Sequence, residues 1–212
     1  RSVLFRYGFC SSMGTGAKAN PGFDLCLTEL EDVFLVEVGS EAGRMVMEGV
    51  SVLPTSAFWL QAAQKGLEDA ITKMGRSLPN PQELPDLLLN NLDALQWDDV
   101  ARRCMSCASC TQVCPTCFCW DTRDTTNLNG SAARRERVWD SCFNPDYSYI
   151  VGGNSRPNTR SRYRQWLTHK FGSWYAQFGT SGCVGCGRCI TWCPAKIDVT
   201  AELSAIREEV QS

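Results

Sequence analysis

One cysteine spacing occurs twice in this chain, and it constrains the fold more than any other feature. Cys104, Cys107, Cys110 and Cys114 are separated by two, two and three residues and followed by Pro115; Cys183, Cys186, Cys189 and Cys193 repeat the pattern ahead of Pro194. Three thiolates this close form one tight loop that can serve several irons of a cubane, whose last iron takes a ligand from further away. In paired runs of this kind the fourth cysteine serves the other cluster. The spacing therefore predicts one [4Fe–4S] cluster on Cys104, Cys107, Cys110 and Cys193, and another on Cys183, Cys186, Cys189 and Cys114. Crossed ligation would tie the two runs together across the 68 residues from 115 to 182. Zinc is the rival, but zinc sites usually show two separated C-x2-C pairs around one tetrahedral ion.

Thirteen cysteines in 212 residues is an odd number, which fits full disulfide pairing badly. It is also below the roughly 8–10% of small secreted scaffolds. The opening decapeptide, Arg1 to Cys10, has neither an apolar h-region nor a small-residue cleavage site, so a reducing cytoplasmic setting is expected. The chain lacks an initiator Met and reads as the visible part of a longer protein. A formal charge of -2 offers no net attraction to phosphate. No apolar run approaches the roughly 18 residues of a membrane span. Neither nucleic acid nor membrane is expected as a partner.

Five cysteines lie outside the runs. Cys26 falls on an inward position of a predicted strand and reads as packing. For Cys10, Cys117, Cys119 and Cys142 two readings stand: small buried hydrophobes, or the four ligands of a third cluster.

The pattern around these residues predicts an α+β fold, with a small N-terminal hairpin-and-helix domain over 1–95 and a helix-rich dicluster, α-helical ferredoxin-like domain over 96–212. Residues 23–30 and 33–38 alternate as a β-hairpin. Ser40 is placed to cap a helix running through Met47. A longer helix follows Ser56, with Trp59, Ala63, Leu67, Ala70, Ile71 and Met74 on one stripe and Gly75 as its stop. Further helices are expected over 85–95, over 98–103 capped by Asp98 or Asp99, and over 162–178. A last helix is expected behind Asp198, with Val199, Leu203, Ile206 and Val210 on one face. Between the cysteine runs little strand periodicity is visible.

Other motifs carry less. Gly14-Thr15-Gly16-Ala17-Lys18-Ala19 fits G-x-G-x-x-A, but Asn20-Pro21-Gly22 follows where a dinucleotide fold demands a helix. His169 is the only histidine and reads as hydrogen-bonded structure. Arg134, Arg135, Arg137, Arg156, Arg160, Arg162 and Arg164 concentrate charge between the runs. They read as compensation for anionic clusters, ahead of a solvated face or a nucleic-acid patch stacking bases on Tyr163, Trp166 and Trp174. Clusters fully coordinated by cysteine leave no open iron for a substrate. The chain is expected to carry electrons, with no catalytic residue of its own.

The stretches Cys10-Ser11-Ser12-Met13-Gly14-Thr15-Gly16, Phe23 to Leu30, Leu35 to Glu41 and Arg103 to Cys119 resemble the beta subunit of soluble nickel–iron hydrogenases of the sulfhydrogenase type. Trp139-Asp140-Ser141-Cys142, Arg162-Tyr163-Arg164, His169-Lys170-Phe171 and Gly182 to Cys189 extend the likeness over nearly the whole chain. Where family members carry Cys-x-Cys before Ser-Met-Gly-Thr-Gly, position 8 here is Gly. A looser resemblance runs to the A subunit of anaerobic sulfite reductase. The resemblance implies a relay subunit in a four-subunit cytoplasmic enzyme, between an FAD- and NAD(P)-binding iron–sulfur subunit and the hydrogenase small subunit, with the small and large subunits as the hydrogenase pair that holds the nickel–iron site. A sirohaem sulfite reductase is the alternative partner, and a nucleic-acid-associated protein with structural clusters the remote one.

Overall fold

The N-terminal hairpin forms as expected. Strands β1 (Leu25–Glu29) and β2 (Phe34–Val38) pair antiparallel from Leu25↔Val38 to Glu29↔Phe34. Helix α1 (Glu41–Met47) starts where Ser40 Oγ accepts from the Gly43 amide at 3.2 Å. Helix α2 (Ala57–Thr72) follows Ser56, with Ala63 its one buried residue and Trp59, Leu67 and Ala70 half-buried on the same face. Ile71, expected on that face, is exposed. Helix α2 closes at Lys73, a right-handed residue whose amide bonds to Asp69 O, so Gly75 plays no part in ending it. The computed structural model describes residues 6–211; residues 1–5, on which part of the reading of the opening segment rests, lie outside the described residues, as does 212.

The next two helices are displaced from their expected bounds for visible reasons. A 3-10 turn (Pro81–Glu83) leads into α3 (Leu84–Leu89), which carries Pro85 in its first turn, where a missing N–H costs nothing. Helix α3 stops at Asn90 rather than near 95. Beyond it, Asn91 Nδ2 donates to Leu87 O and Trp97 Nε1 to Asn91 O, both at 2.8 Å, holding a non-helical link. Helix α4 (Gln96–Arg103) begins earlier than expected because its cap comes from elsewhere: Glu209 accepts from the amides of Leu95 and Gln96 at 2.7 and 3.1 Å. Asp98 and Asp99 lie in its first turn and complement the helix dipole there.

Between the cysteine runs the structure corrects the sequence reading. Strands β3 (Trp120–Thr126) and β4 (Ala133–Trp139) form an antiparallel hairpin in register from Trp120↔Trp139 to Thr126↔Ala133. Almost every residue of it is exposed, so no alternation of apolar and polar residues marks it. A short pair follows, β5 (Tyr149–Ile150) with β6 (Gly153–Asn154). The expected helix over 162–178 is three pieces. Helix α6 (Thr159–Thr168) is capped by Asn158 Oδ1, which accepts from Ser161 N at 2.9 Å; a π-helical turn (His169–Ser173) and α7 (Trp174–Phe178) follow. Helix α9 (Val199–Gln211) starts at Asp198, whose Oδ1 accepts from Thr200 N at 3.0 Å. It buries Val199, Leu203 and Ile206, and leaves Val210 exposed. The architecture is mixed α+β, with three small antiparallel hairpins beside a helical body among the described residues.

The core of that body draws on both sides of position 95, including Phe9, Leu88, Trp97, Leu167, Leu203 and Ile206, each at most 1% exposed. Helices α4 and α9 are bound by a buried carboxylate: Glu202 accepts from Gln96 Nε2 at 2.6 Å and from Arg103 at 2.9 Å. Tyr163 and Trp166 are almost fully enclosed, with ring centroids 5.5 Å apart, so they pack the core and cannot stack bases.

The two cysteine runs have the same backbone. Each is a loop followed by a one-turn helix, α5 (Ser109–Gln112) in the first and α8 (Arg188–Thr191) in the second. Left-handed residues occupy equivalent positions: Ser106 and Ala108 with φ 51° and 63°, Gly185 and Gly187 with φ 66° and 70°. The second loop needs glycine for a further reason. Segment 7–10 lies across it, with Phe9 N donating to Gly185 O at 2.8 Å. A Cβ at Gly185 would stand 2.6 Å from the Cys10 backbone, and one at Gly187 2.3 Å from Tyr7 O. Gly185→Ala and Gly187→Ala are therefore expected to destabilise the protein by about 1–3 kcal/mol. Ser106→Gly and Ala108→Gly should change stability by less than about 1 kcal/mol. Urea denaturation of the four variants measures the contrast, and equal losses in both loops would contradict this account.

Candidate functional site

Around the first run, thiols distant in sequence meet. Cys104, Cys107, Cys110 and Cys193 line one cavity of about 30 Å³, walled by Phe143, Tyr163, Trp166, Ile197 and Val199. Burial pushes the Cys110 thiol far up, and the negative charge of Cys104, Cys193 and Cys107 pushes it further. Backbone amides point at sulfur, Ser106 N to Cys104 Sγ at 3.4 Å and Ile197 N to Cys193 Sγ at 3.3 Å. Cys107 is the exposed member, its thiol held below the ordinary value by the Ser109 hydroxyl and amide.

Around the second run the arrangement is reciprocal. Burial raises the Cys183 thiol to about 12, against the Gly185 amide, which donates to Cys183 Sγ at 3.3 Å. Cys189 is buried and pushed well up, then feels Cys183, Cys110, Cys114 and Cys186 in turn. The fourth cysteine of each run thus stands among the first three of the other. Lys170 is buried beside this group, donating to Cys114 Sγ at 3.2 Å, Thr116 Oγ1 at 2.9 Å and Gly182 O at 3.0 Å. All three ammonium protons are satisfied. The Cys117 thiol holds Cys114 down at about 4 against its burial, with Lys170 assisting. Desolvation pulls Lys170 down, yet the charges of Cys114 and Cys117 hold its amine above the ordinary value.

The remaining cysteines separate. Cys119 and Cys142 stand at the foot of the β3–β4 hairpin, where Asp140 N donates to Cys119 O at 3.1 Å just beyond the Trp120↔Trp139 pair. Buried Thr111 and Ser141 exchange a hydrogen bond at 2.7 Å, fixing α5 against the segment that carries Cys142. A hydrogen bond from Cys142 holds the Cys119 thiol down at about 6 against its burial, with Tyr147 and His169 assisting. Cys117, Cys119 and Cys142 line a second cavity, of about 190 Å³. Cys10 is not brought to that cavity; it lies against Gly185, 3.9 Å from Met74 Sδ, close enough to Cys186 to feel its charge. Cys26 is half-buried on β1 opposite Glu37.

The seven arginines divide. Arg134, Arg135 and Arg137 belong to the hairpin, pairing with Glu136 and Asp124 and covering the Trp120 ring. Arg160 pairs with Asp98, and Arg164 donates to Leu92 O. Arg162 stands near Cys104, where its charge favours the thiolate, and Arg156 lines the larger cavity. The expected charge compensation thus narrows to Arg162, Arg156 and Lys170, the last unremarked in the sequence.

These residues fit multi-iron cores. The thiols stand around cavities: among the described residues, no group of three or more His, Cys, Asp or Glu is drawn close enough for one ion. Tyr163 Oη and Trp166 Nε1, both on the wall of the first cavity, are buried without a partner. A buried donor left unpaired costs about 1–3 kcal/mol, and the sulfur of a cluster held in that cavity would offer the missing acceptor.

Comparison with known proteins places similarity over the same part of the chain. Residues 103–197 match the family described as 4Fe-4S dicluster domain. Over 204 residues, 95% of this chain, the sequence is 36% identical to sulfhydrogenase 2 subunit beta of Pyrococcus furiosus. The chain spans 60% of that relative's length. No solved structure matches. Over almost all of its length, then, the chain is similar to a sulfhydrogenase beta subunit, and its cysteine-rich part matches a 4Fe–4S dicluster domain.

Proposed function

We propose that the chain is the electron-relay subunit of a cytoplasmic, NAD(P)-linked nickel–iron hydrogenase. In this reading it carries two [4Fe–4S] clusters, one on Cys104, Cys107, Cys110 and Cys193, the other on Cys183, Cys186, Cys189 and Cys114. The observation that carries the reading is the reciprocal placing of Cys193 and Cys114. Likeness to a sulfhydrogenase beta subunit supports a multisubunit hydrogenase as the setting. In that setting its neighbours are the hydrogenase small and large subunits and an FAD- and NAD(P)-binding iron–sulfur subunit. No helix among the described residues is long and apolar enough to cross a membrane.

Bound clusters supply single-electron storage at a potential set by their surroundings. The chain provides those surroundings. Phe143, Trp166 and Val199 keep water from the first cavity. The amides of Ser106, Gly185 and Ile197 donate to ligand sulfurs and favour the more negative, reduced state. Lys170 does the same with a full charge. The exposed edge of the first loop, with Cys107 uncovered and Met105 68% exposed, is the point nearest to solvent for exchange with a partner.

Cys193→Ser is expected to remove the cluster of the 104–110 run and Cys114→Ser that of the 183–189 run, each read as loss of about four irons and one EPR signal. Loss of the same-run cluster in either variant would refute the crossed reading. Lys170→Met should lower the potential of the 183–189 cluster by roughly 60 mV, a tenfold change in a one-electron equilibrium. Lys170→Arg should largely restore it in the same redox titration. For the complex as a whole, anaerobic copurification with a nickel protein and H2-dependent NAD(P) reduction are expected; a sirohaem absorbance would select the sulfite reductase setting.

A further inference from the structure

Three cysteines that the paired runs leave unused converge on one cavity, and the only histidine of the chain closes it. Cys117, Cys119 and Cys142 line a space of about 190 Å³ together with His169 and Arg156. That is room for several atoms, since about 10–15 Å³ of such space already admits a water. None of the three is placed by accident of sequence. Cys117 follows Cys114 at the second thiol group, and the β3–β4 hairpin folds Cys142 back onto Cys119, to which it is hydrogen-bonded.

His169 opens the π-helical turn His169–Ser173. Such turns interrupt α-helices rarely and mostly where function requires a side chain to be re-aimed. Here consecutive residues serve adjacent groups: Lys170 reaches Cys114, and His169 lines the cavity beside Cys119. The far nitrogen of His169 is already engaged, with Nε2 3.2 Å from Gln177 Oε1. An imidazole that donates one N–H to a carbonyl oxygen has its tautomer fixed and its other nitrogen free to ligate, the arrangement usual for metal-bound histidine. Arg156 and Lys170 bring positive charge to the wall, which offsets three thiolates.

We propose that Cys117, Cys119, Cys142 and His169 hold a third iron–sulfur cluster. It replaces Cys10 with His169 in the ligand set that the sequence alone suggested, because Cys10 lies instead against Gly185 and Met74. The inference rests on the paired-cluster reading in that the same chain assembles all three. It also gives Cys117 a place: hydrogen-bonded to Cys114, it makes the third site the direct neighbour of the second.

The test uses the full chain, reconstituted anaerobically with ferrous iron and sulfide. About twelve irons per chain are expected, against about eight for two clusters alone. Cys119→Ser/Cys142→Ser should lose one third of the iron and leave the EPR signals of the two other clusters unchanged. In the dithionite-reduced protein, pulsed EPR should show a strongly coupled nitrogen that disappears in His169→Cys, while that variant keeps its full iron content. A wild-type content near eight that the double variant does not alter overturns the proposal, as does zinc at the site or the absence of a coupled nitrogen. Failure of the paired-cluster reading registers separately, as absence of the two signals that should survive in the double variant.

Discussion

Everything between residues 104 and 193 is arranged by one constraint, the exchange of a fourth thiol between two loops. For Cys193 to stand among Cys104, Cys107 and Cys110, and Cys114 among the other three, helices α5 and α8 must lie against each other. Closing that loop carries an entropy cost that grows only slowly with its length, so the 68-residue connector could afford a hairpin and most of a helix. Before any metal arrives the crossing is unfavourable on its own account. Cys110 and Cys189 are buried among like groups and held protonated. Metal binding would displace those protons, and its free energy would become folding free energy. The helical wall of α4, α6 and α9 fixes where that exchange takes place.

Charge is distributed in keeping with this division. The hairpin arginines satisfy their neighbours in water, where such pairs contribute about 0–1 kcal/mol. Lys170 is different. A lone ammonium at 4% exposure would be expensive to bury, and it persists because a sulfur, a hydroxyl and a carbonyl take its three protons. Buried and satisfied, it acts on the second thiol group with little solvent screening. One buried lysine therefore matters more to the centre than the surface arginines that outnumber it.

How much of this was legible follows from what kind of signal each part leaves. The β1–β2 hairpin, the Ser40 cap and the Asp198 cap are local patterns of spacing or residue type, and they stand where expected. The β3–β4 hairpin left no periodicity because neither face is buried, and with it went the reason that Cys142 meets Cys119. Helix α4 starts where it does because Glu209, 113 residues from Gln96, caps it. The break at His169 is announced by no proline or glycine in the helix that precedes it. Cys10 was grouped with the spare cysteines by elimination; its position is set by segment 7–10 lying over Gly185 and Gly187, a contact that only two glycines hint at.

That contact also breaks the symmetry between the loops. Segment 7–10 covers the second loop, and its glycines are the only residues that fit beneath the strap. Among the described residues the first loop has no such cover; Ser106 and Ala108 are tolerated there in the same left-handed conformation and Cys107 faces solvent. The thiol groups also have a sequence of neighbours. Cys110 of the first group and Cys189 of the second feel each other's charge, and Cys114 of the second is bonded to Cys117 of the third. A relay built on these groups therefore has an order: an open end at Cys107, a middle closed over by the N-terminal strap and Lys170, and a far end at the foot of the β3–β4 hairpin. In the proposed relay, electrons entering at either end would pass the centre beside Lys170, whose potential would then govern traffic between the two surfaces.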